Sequence, residues 1–318
     1  MHPIFKLVAQ RLALGIILLL AASIIIFVGT TILPGDVAQQ ILGQGATPEN
    51  LANLREELGL NDPPLTRYFA WLGGVVQGDL GTALTNGRDI ASTMSDKMGK
   101  TLFLAFWAAA ISVPLAIFLG LVAVRYKDRW PDKLISSVTL TTISIPEFLI
   151  GYLLIYFVAV KLGWAPSVAM INDSMTFLEK LHSISIPVAA LTLVVLAHMM
   201  RMTRAAILNV MQSAYIETAE LKGLTPLQVI RKHAFPNAVA PIVNVVMINL
   251  AYLVVGVVVI EVVFTYPGMG QYLVDHVVKR DVPVVQAAGL MFAAIYILLN
   301  MTADIVSILA NPRLRHPK

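Results

Sequence analysis

A chain of 318 residues that is 57% hydrophobic and only 13% charged, with a mean hydropathy of +0.76, is too apolar for a water-soluble domain and reads as a membrane protein. Its 23 basic and 19 acidic side chains leave a formal charge of only +4, so the positions of the charges inform more than their sum. The absence of cysteine excludes disulfides, thiolate metal sites and cysteine nucleophiles.

A helix needs about 20 apolar residues to cross the hydrocarbon core, and six runs qualify as candidates. They are Leu12 to Gly35, Thr101 to Val124, Leu134 to Val160, Ser185 to about Met200, Ala240 to Phe264, and Val282 to Ala310. Glu147 interrupts the third, Glu261 the fifth and Asp304 the last. The fourth is short and must borrow residues past Arg201 and Arg204. The first run comes after a basic start, Lys6 and Arg11, as in a signal peptide. Its length, and the lack of a small-residue cleavage site before Pro34, predict a retained helix instead.

Lys and Arg fall unevenly between the two sides that these spans define, fourteen on the side of the termini and nine in the longer loops opposite. By the positive-inside rule both termini and the polar stretch from Tyr215 to Pro241 are cytosolic.

Between the first two runs, residues 36–100 form an external segment that the pattern predicts to be helical. Thr47 and Pro48 start a helix carrying Leu51, Leu54 and Leu58 at helical spacing, and Gly59 ends it. Leu65 to Val76 then places Tyr68, Trp71, Leu72 and Val75 on one face, which suits an amphipathic helix at headgroup level or a cover over the external mouth. Gly99, Lys100 and Thr101 mimic the end of a Walker A loop, but Met94 stands where its first glycine is required. Pro146 and Glu147 fall inside the third run, where an ionisable group marks a candidate pathway residue. Asn249 and Glu261 are the corresponding polar candidates in the fifth run. The six histidines, His2, His182, His198, His233, His276 and His316, lack metal-ligand spacing, and His198 suits an interhelical hydrogen bond. No nucleophile elbow or paired catalytic motif is present, so neither a catalytic nor a metal site is assigned.

The cytosolic stretch from Tyr215 to Pro241 is punctuated as an elbow. Gly223 closes one helix, and Thr225, Pro226 and Gln228 supply the N-cap, first-turn proline and capping-box residue of another. Pro236 and Pro241 are expected to keep that second helix short, with Leu227, Ile230 and Ala234 on one apolar face and Arg231, Lys232 and His233 near its end. Its tether between spans, and Glu217 and Glu220 beside the basic residues, argue against a DNA-binding helix-turn-helix, so no nucleic acid partner is expected.

These residues carry a family resemblance. LPGD at 33–36 and LGLNDPPLTRYFAWLGGVVQGDLGTAL from Leu58 resemble the first external loop of bacterial ABC importer permeases of the dipeptide, oligopeptide and nickel class. The elbow is similar to that family's coupling motif: Glu217, Thr218, Ala219, then Gly223, then His233, Ala234, Phe235 and Pro236, with Arg204, Tyr215 and Lys222 fitting the peptide branch. Glu261, Phe264, Pro267, Gly268, Gly270, Asp281, Pro283, Asn300, Asp304 and the terminal NPRLR extend the likeness over nearly the whole chain.

The resemblance implies an all-α type I importer permease fold with six transmembrane helices. Its expected divisions are a tail and first span at 1–35, the external segment at 36–100, a permease core at 101–310 containing the coupling loop 201–240, and a cytosolic tail at 311–318. It implies a non-enzymatic inner-membrane permease subunit, forming half of a translocation pathway for di- or oligopeptides. The implied partners are a second homologous permease, two cytosolic ATPase subunits that hold ATP and Mg, and an external substrate-binding protein, all around a lipid bilayer. Tyr215, Glu217, Thr218, Ala219, Leu221, Lys222, Gly223, Leu224, Thr225, Pro226 and His233 are the implied ATPase-coupling residues. Pro267, Gly268 and Gly270 form the implied external turn, and residues 36–100, 172–181 and 267–281 are the implied candidate contacts for the binding protein. The alternative is a stand-alone secondary transporter or channel, which calls for a chain of intramembrane ionisable residues or an internal repeat.

Overall fold

The structure, a computed structural model, describes residues 3–32, 37–57 and 59–310. The expectations placed on the LPGD stretch at 33–36, on Leu58, on His2 and His316 and on the terminal NPRLR lie outside the described residues.

The described elements are helices joined by loops: α1 (Pro3–Ile32), α2 (Val37–Leu42), α3 (Pro48–Glu57), α4 (Pro64–Gln77), α5 (Ile90–Arg125), α6 (Trp130–Ser144), α7 (Glu147–Leu154), α8 (Phe177–Ser183), α9 (Ser185–Met211), α10 (Ala214–Leu221), α11 (Pro226–Val229), α12 (Phe235–Val263), α13 (Met269–Val278) and α14 (Val282–Ala310). Among the described residues five stretches are long and apolar enough to cross a membrane: Val8–Ile32, Ile90–Arg125, Ser185–Met211, Pro226–Val263 and Val282–Val306. A sixth span exists if α6 and the helix from Glu147 to Lys161 are counted together, although they meet at 103°.

The third run, Leu134 to Val160, bends where Pro146 and Glu147 interrupt it. Pro146 has no N–H and biases Ile145 away from helix, and Ile145 is extended at φ −93°, ψ 128°. The 15 residues of α6 reach only about 22 Å, less than the roughly 30 Å core. The fourth run does borrow past its arginines, because α9 continues for 27 residues through Arg201 and Arg204 to Met211. The second begins earlier than expected, with Ile90 rather than Thr101 opening the 36-residue α5.

The contacts divide the chain into two compact units. One contains Leu102–Tyr266, the start of the chain up to Leu12 and the end from Leu298. Its core joins α5, α9 and α12 through Leu104, Leu191, Met199, Met200, Val257, Ile260 and Phe264, with Ile135 of α6 and Leu154 of α7 packed against them. Gly151 permits close packing there: a Cβ on it would stand 3.0 Å from Val263 Cγ1. Asp304, interrupting the last run, pairs with Arg11 at 2.8 Å.

The other unit contains Ala13–Thr101 and Pro267–Ile297. Here Gly59 takes φ +61° and ends α3, with Gly59 N–H donating to Glu56 and Leu60 N–H to Arg55. Two of the residues expected on one face of α4, Tyr68 and Trp71, pack on α1. Tyr68 meets Ser23 Oγ at 2.9 Å and sets its ring edge-on to Phe27 at 5.4 Å, while Trp71 stacks on Phe27 at 6.1 Å. Burying large rings on α1 outweighs exposing them. The apolar stripe left open on α4 is Leu65, Phe69 and Val76.

Candidate functional site

The elbow forms with the punctuation its sequence carries. Gly223 adopts φ +79°, its N–H donates to Glu220 O at 2.8 Å, and Leu224 N–H donates to Ala219 O at 3.4 Å, which closes α10 with both hydrogen bonds of a Schellman motif. Thr225 Oγ1 then accepts from Gln228 N–H at 3.4 Å, and Gln228 Oε1 accepts from Thr225 N–H at 2.9 Å, so α11 opens on a complete capping box.

The second helix of the elbow is not short, contrary to expectation. α11 passes through a π turn at Ile230–Ala234 directly into α12, and Pro226–Val263 runs as one 38-residue helix through Pro236 and Pro241. Pro236 lies in the first turn of α12, where the wider π turn has already shifted the hydrogen-bond register and no donor is required of it. Two of the three residues expected on the apolar face, Ile230 and Ala234, are buried as expected, and Val229 takes the place of Leu227. Val229, Ile230 and Ala234 are buried with Ile207, Ile216, Ala219, Ala238 and Ile242, whereas Leu227 is 59% exposed.

Two sets of residues result. Ala219 is buried in the elbow's own core, and Leu224 and His233 are half-buried against it. Tyr215, Glu217, Thr218, Leu221, Lys222, Gly223, Thr225 and Pro226 are exposed, and Leu221, at 83%, is the most exposed large apolar side chain of the described residues. The elbow thus presents Tyr215, Leu221 and Leu227 to the outside from a base held by capping and by its own buried core.

Of the intramembrane candidates, Glu147 and Asn249 come together at one cavity of about 600 Å³, together with His198, Met202, Tyr252 and Gly256. α7, α9 and α12 supply this lining. Asn249 is buried and fixed, its Nδ2 donating to Val245 O at 2.8 Å and to Met202 Sδ at 3.7 Å. His198 is exposed on α9. Glu261 does not line this cavity and is fully buried. Burial and then the negative charge of Glu261 push the Tyr266 phenol above its ordinary value.

The external turn is smaller than Pro267, Gly268 and Gly270 suggested. Gly270 lies buried inside α13, and the residue with positive φ is Thr265, at 51°. The turn is held from outside itself: Met269 N–H donates to Thr101 Oγ1 at 2.7 Å, and Asp281 accepts from Leu84 N–H, Thr85 N–H and Thr85 Oγ1 at 3.1, 2.9 and 2.8 Å. At residues 172–181 Thr176 caps α8 reciprocally with Glu179, and those hydrogen bonds hold the Glu179 carboxyl below the usual range.

Sequence reasoning missed the Asp281 clasp and the pairing of Asp132 with Arg204. A signal existed for the second, since Asp132 is one of only two acids in the basic stretch 125–133. Among the described residues no group of His, Asp and Glu converges as a metal site.

Comparison with known proteins gives this geometry a context. Residues 112–316 match the family described as "Binding-protein-dependent transport system inner membrane component", and residues 4–105 match the N-terminal family of the same systems. A Brucella abortus protein assigned as a peptide transport system permease is 34% identical over 310 residues, covering 98% of this chain and 99% of that one. The glutathione transport system permease GsiC of Escherichia coli K12 is 35% identical over 310 residues, 97% of this chain and 98% of that one. A chain from the inward-facing MetNI methionine ABC transporter is similar in fold, with a TM-score of 0.51 at 19% identity over 70% of this chain and 96% of that one.

Proposed function

Because the chain belongs to the family of binding-protein-dependent transport system inner membrane components, we propose that it is the permease subunit of an ATP-driven importer of di- or oligopeptides. The relatives assigned to peptide and glutathione transport support a short peptide as cargo. In this reading the chain forms half of a translocation pathway with a second, homologous permease and receives cargo from an external binding protein. Two cytosolic ATPase subunits bind ATP and Mg and hydrolyse the nucleotide, and this chain has no catalytic role of its own. Both termini lie in the cytosol of a bacterial inner membrane, as the basic residues of the elbow and the tails indicate.

The observation that carries the reading is the build of the elbow. Exposed Tyr215, Leu221 and Leu227 sit on a capped base whose second helix is continuous with a 38-residue span. A push on such a base reaches the span directly, since the π turn leads straight into α12. The test is to replace Leu221 with Asp in the assembled transporter. Loss of the ATPases on purification and of ATP-dependent peptide uptake, with normal membrane insertion, is expected. Normal co-purification and uptake would remove the interface assignment. Ion-driven transport by this polypeptide alone in ATP-free proteoliposomes would replace the whole reading with the secondary-transporter alternative.

A further inference from the structure

The cavity between α7, α9 and α12 carries chemistry that a merely permissive passage does not need. Glu147 is half-buried at its wall, and among the described residues it neither accepts a hydrogen bond nor joins an ion pair. A carboxylate at membrane depth is costly unless it is wet or paired, so a site that keeps one without a partner in its own chain has left that partner to be supplied.

The surroundings define what the partner must be. The lining contains no Lys or Arg. Asn249 spends both hydrogens of its amide on Val245 O and Met202 Sδ, which orients the group and leaves Oδ1 as an acceptor without a donor among the described residues. Tyr252 contributes an aromatic ring that is 61% exposed. Glu147 also depends on α12 for its seat, because Oε2 lies 3.1 Å from where a Cβ on Gly256 would stand. A carboxylate without a hydrogen bond and an aromatic face, in a lining whose one nitrogen base is His198, suit a small cation carrying several N–H donors. The volume, about 600 Å³, falls within the range of small-molecule sites.

We propose that this cavity is a cargo subsite in which Glu147 receives the free α-ammonium group of a short peptide. The assignment rests on the peptide-importer reading above. It also gives that reading a selectivity: a peptide blocked at its amino end lacks the positive charge for Glu147 and is held less tightly. No covalent step is involved.

The experiment uses the complete transporter in nanodiscs, without its binding protein, and two probes, Ala-Ala-Ala and its N-acetylated form. The native complex is expected to bind the free peptide about tenfold more tightly than the blocked one, as one charge-assisted hydrogen-bonding group allows. Glu147→Gln is expected to abolish that preference while the second permease and the ATPases remain bound. Glu147→Asp is expected to keep part of it. An undiminished preference in Glu147→Gln overturns the proposal, as does loss of the second permease from that variant, which would make Glu147 an intersubunit ion-pair residue. Uptake into proteoliposomes with the binding protein restored separates this failure from that of the cargo reading. If the native complex imports Ala-Ala-Ala and Glu147→Gln imports it equally well, only the subsite falls. If the native complex imports another solute and no peptide, the peptide reading falls with it.

Discussion

Arg204 holds Asp132 with both arms of its guanidinium, Nε donating to Oδ1 at 2.8 Å and Nη2 to Oδ2 at 2.7 Å. Asp132 is 3% exposed and also accepts from Asp128 N–H at 3.0 Å and Ser136 Oγ at 3.3 Å, so every hydrogen bond it can use in that place is filled. The pair ties the start of α6 to α9. Removing one partner of a buried pair leaves the other charge uncompensated, and Asp132→Asn is expected to cost about 3 kcal/mol of stability. Arg204→Lys is expected to fall between, because an ammonium cannot span both oxygens. Thermal unfolding of the detergent-solubilised protein measures both, and a midpoint unchanged in Asp132→Asn would mean that solvent already carries the charge.

Asp281 does comparable work in the other unit. It is 1% exposed and accepts three hydrogen bonds from Leu84 and Thr85, nearly two hundred positions earlier in the chain. Asp281→Ala leaves two backbone N–H groups without their acceptor, at about 1–3 kcal/mol. Hydrogen exchange at Leu84 and Thr85 is therefore expected to accelerate by at least about tenfold, with exchange in α9 unchanged. Equal acceleration in both places would indicate global destabilisation instead of a local clasp.

What the sequence made legible was whatever is written locally. Gly223, Thr225 and Gln228 close and open helices through hydrogen bonds that span a few positions, so their arrangement needs only the residues at hand. The same holds for Thr47, Pro48 and Gly59 around α3. Residues that act at a distance were not legible: Asp281 with Leu84, Asp132 with Arg204, and Tyr68 with Ser23 become partners only when separate helices pack. The prolines differ in what precedes them. Pro146 breaks the third span, because Ile145 before it goes extended, whereas Pro236 follows the π turn at Ile230–Ala234 in the first turn of α12. Pro241 stands inside α12 without ending it. The cavity was half legible. Glu147 and Asn249 were marked as polar residues in apolar runs, but their meeting, and the exclusion of Glu261, depend on how α7 and α12 pack.

Thr101 offers a third test, of a contact that carries no charge. Its Oγ1 accepts the Met269 N–H at 2.7 Å in a fully buried place, at the entry to α13. Thr101→Val keeps the shape and removes the acceptor, so the loss of about 1–3 kcal/mol is expected to come from an unsatisfied amide rather than from a cavity. Thr101→Ser restores the hydroxyl and is expected to recover most of it in the same thermal assay. If Ser is as poor as Val, the methyl group of Thr101 matters more than the hydrogen bond.

Gly223 separates two explanations for a glycine at the elbow. A side chain could be excluded there because a partner approaches closely, or because the backbone forbids it. Within this chain nothing lies within 4 Å of where its Cβ would be, yet φ is +79°. A left-handed conformation costs a residue with a side chain about 1–2 kcal/mol, and Asn bears it better than Ala or Val because its short polar side chain bonds locally. If the backbone decides, Gly223→Asn retains most ATP-dependent uptake, Gly223→Ala loses more, and Gly223→Val loses most while the isolated permease stays folded. If contact with an ATPase decides, Asn is as damaging as Val, since both fill the space, and Ala is the mildest of the three. The order of Ala and Asn therefore reports whether the glycine serves the fold of the elbow or the surface that another subunit meets.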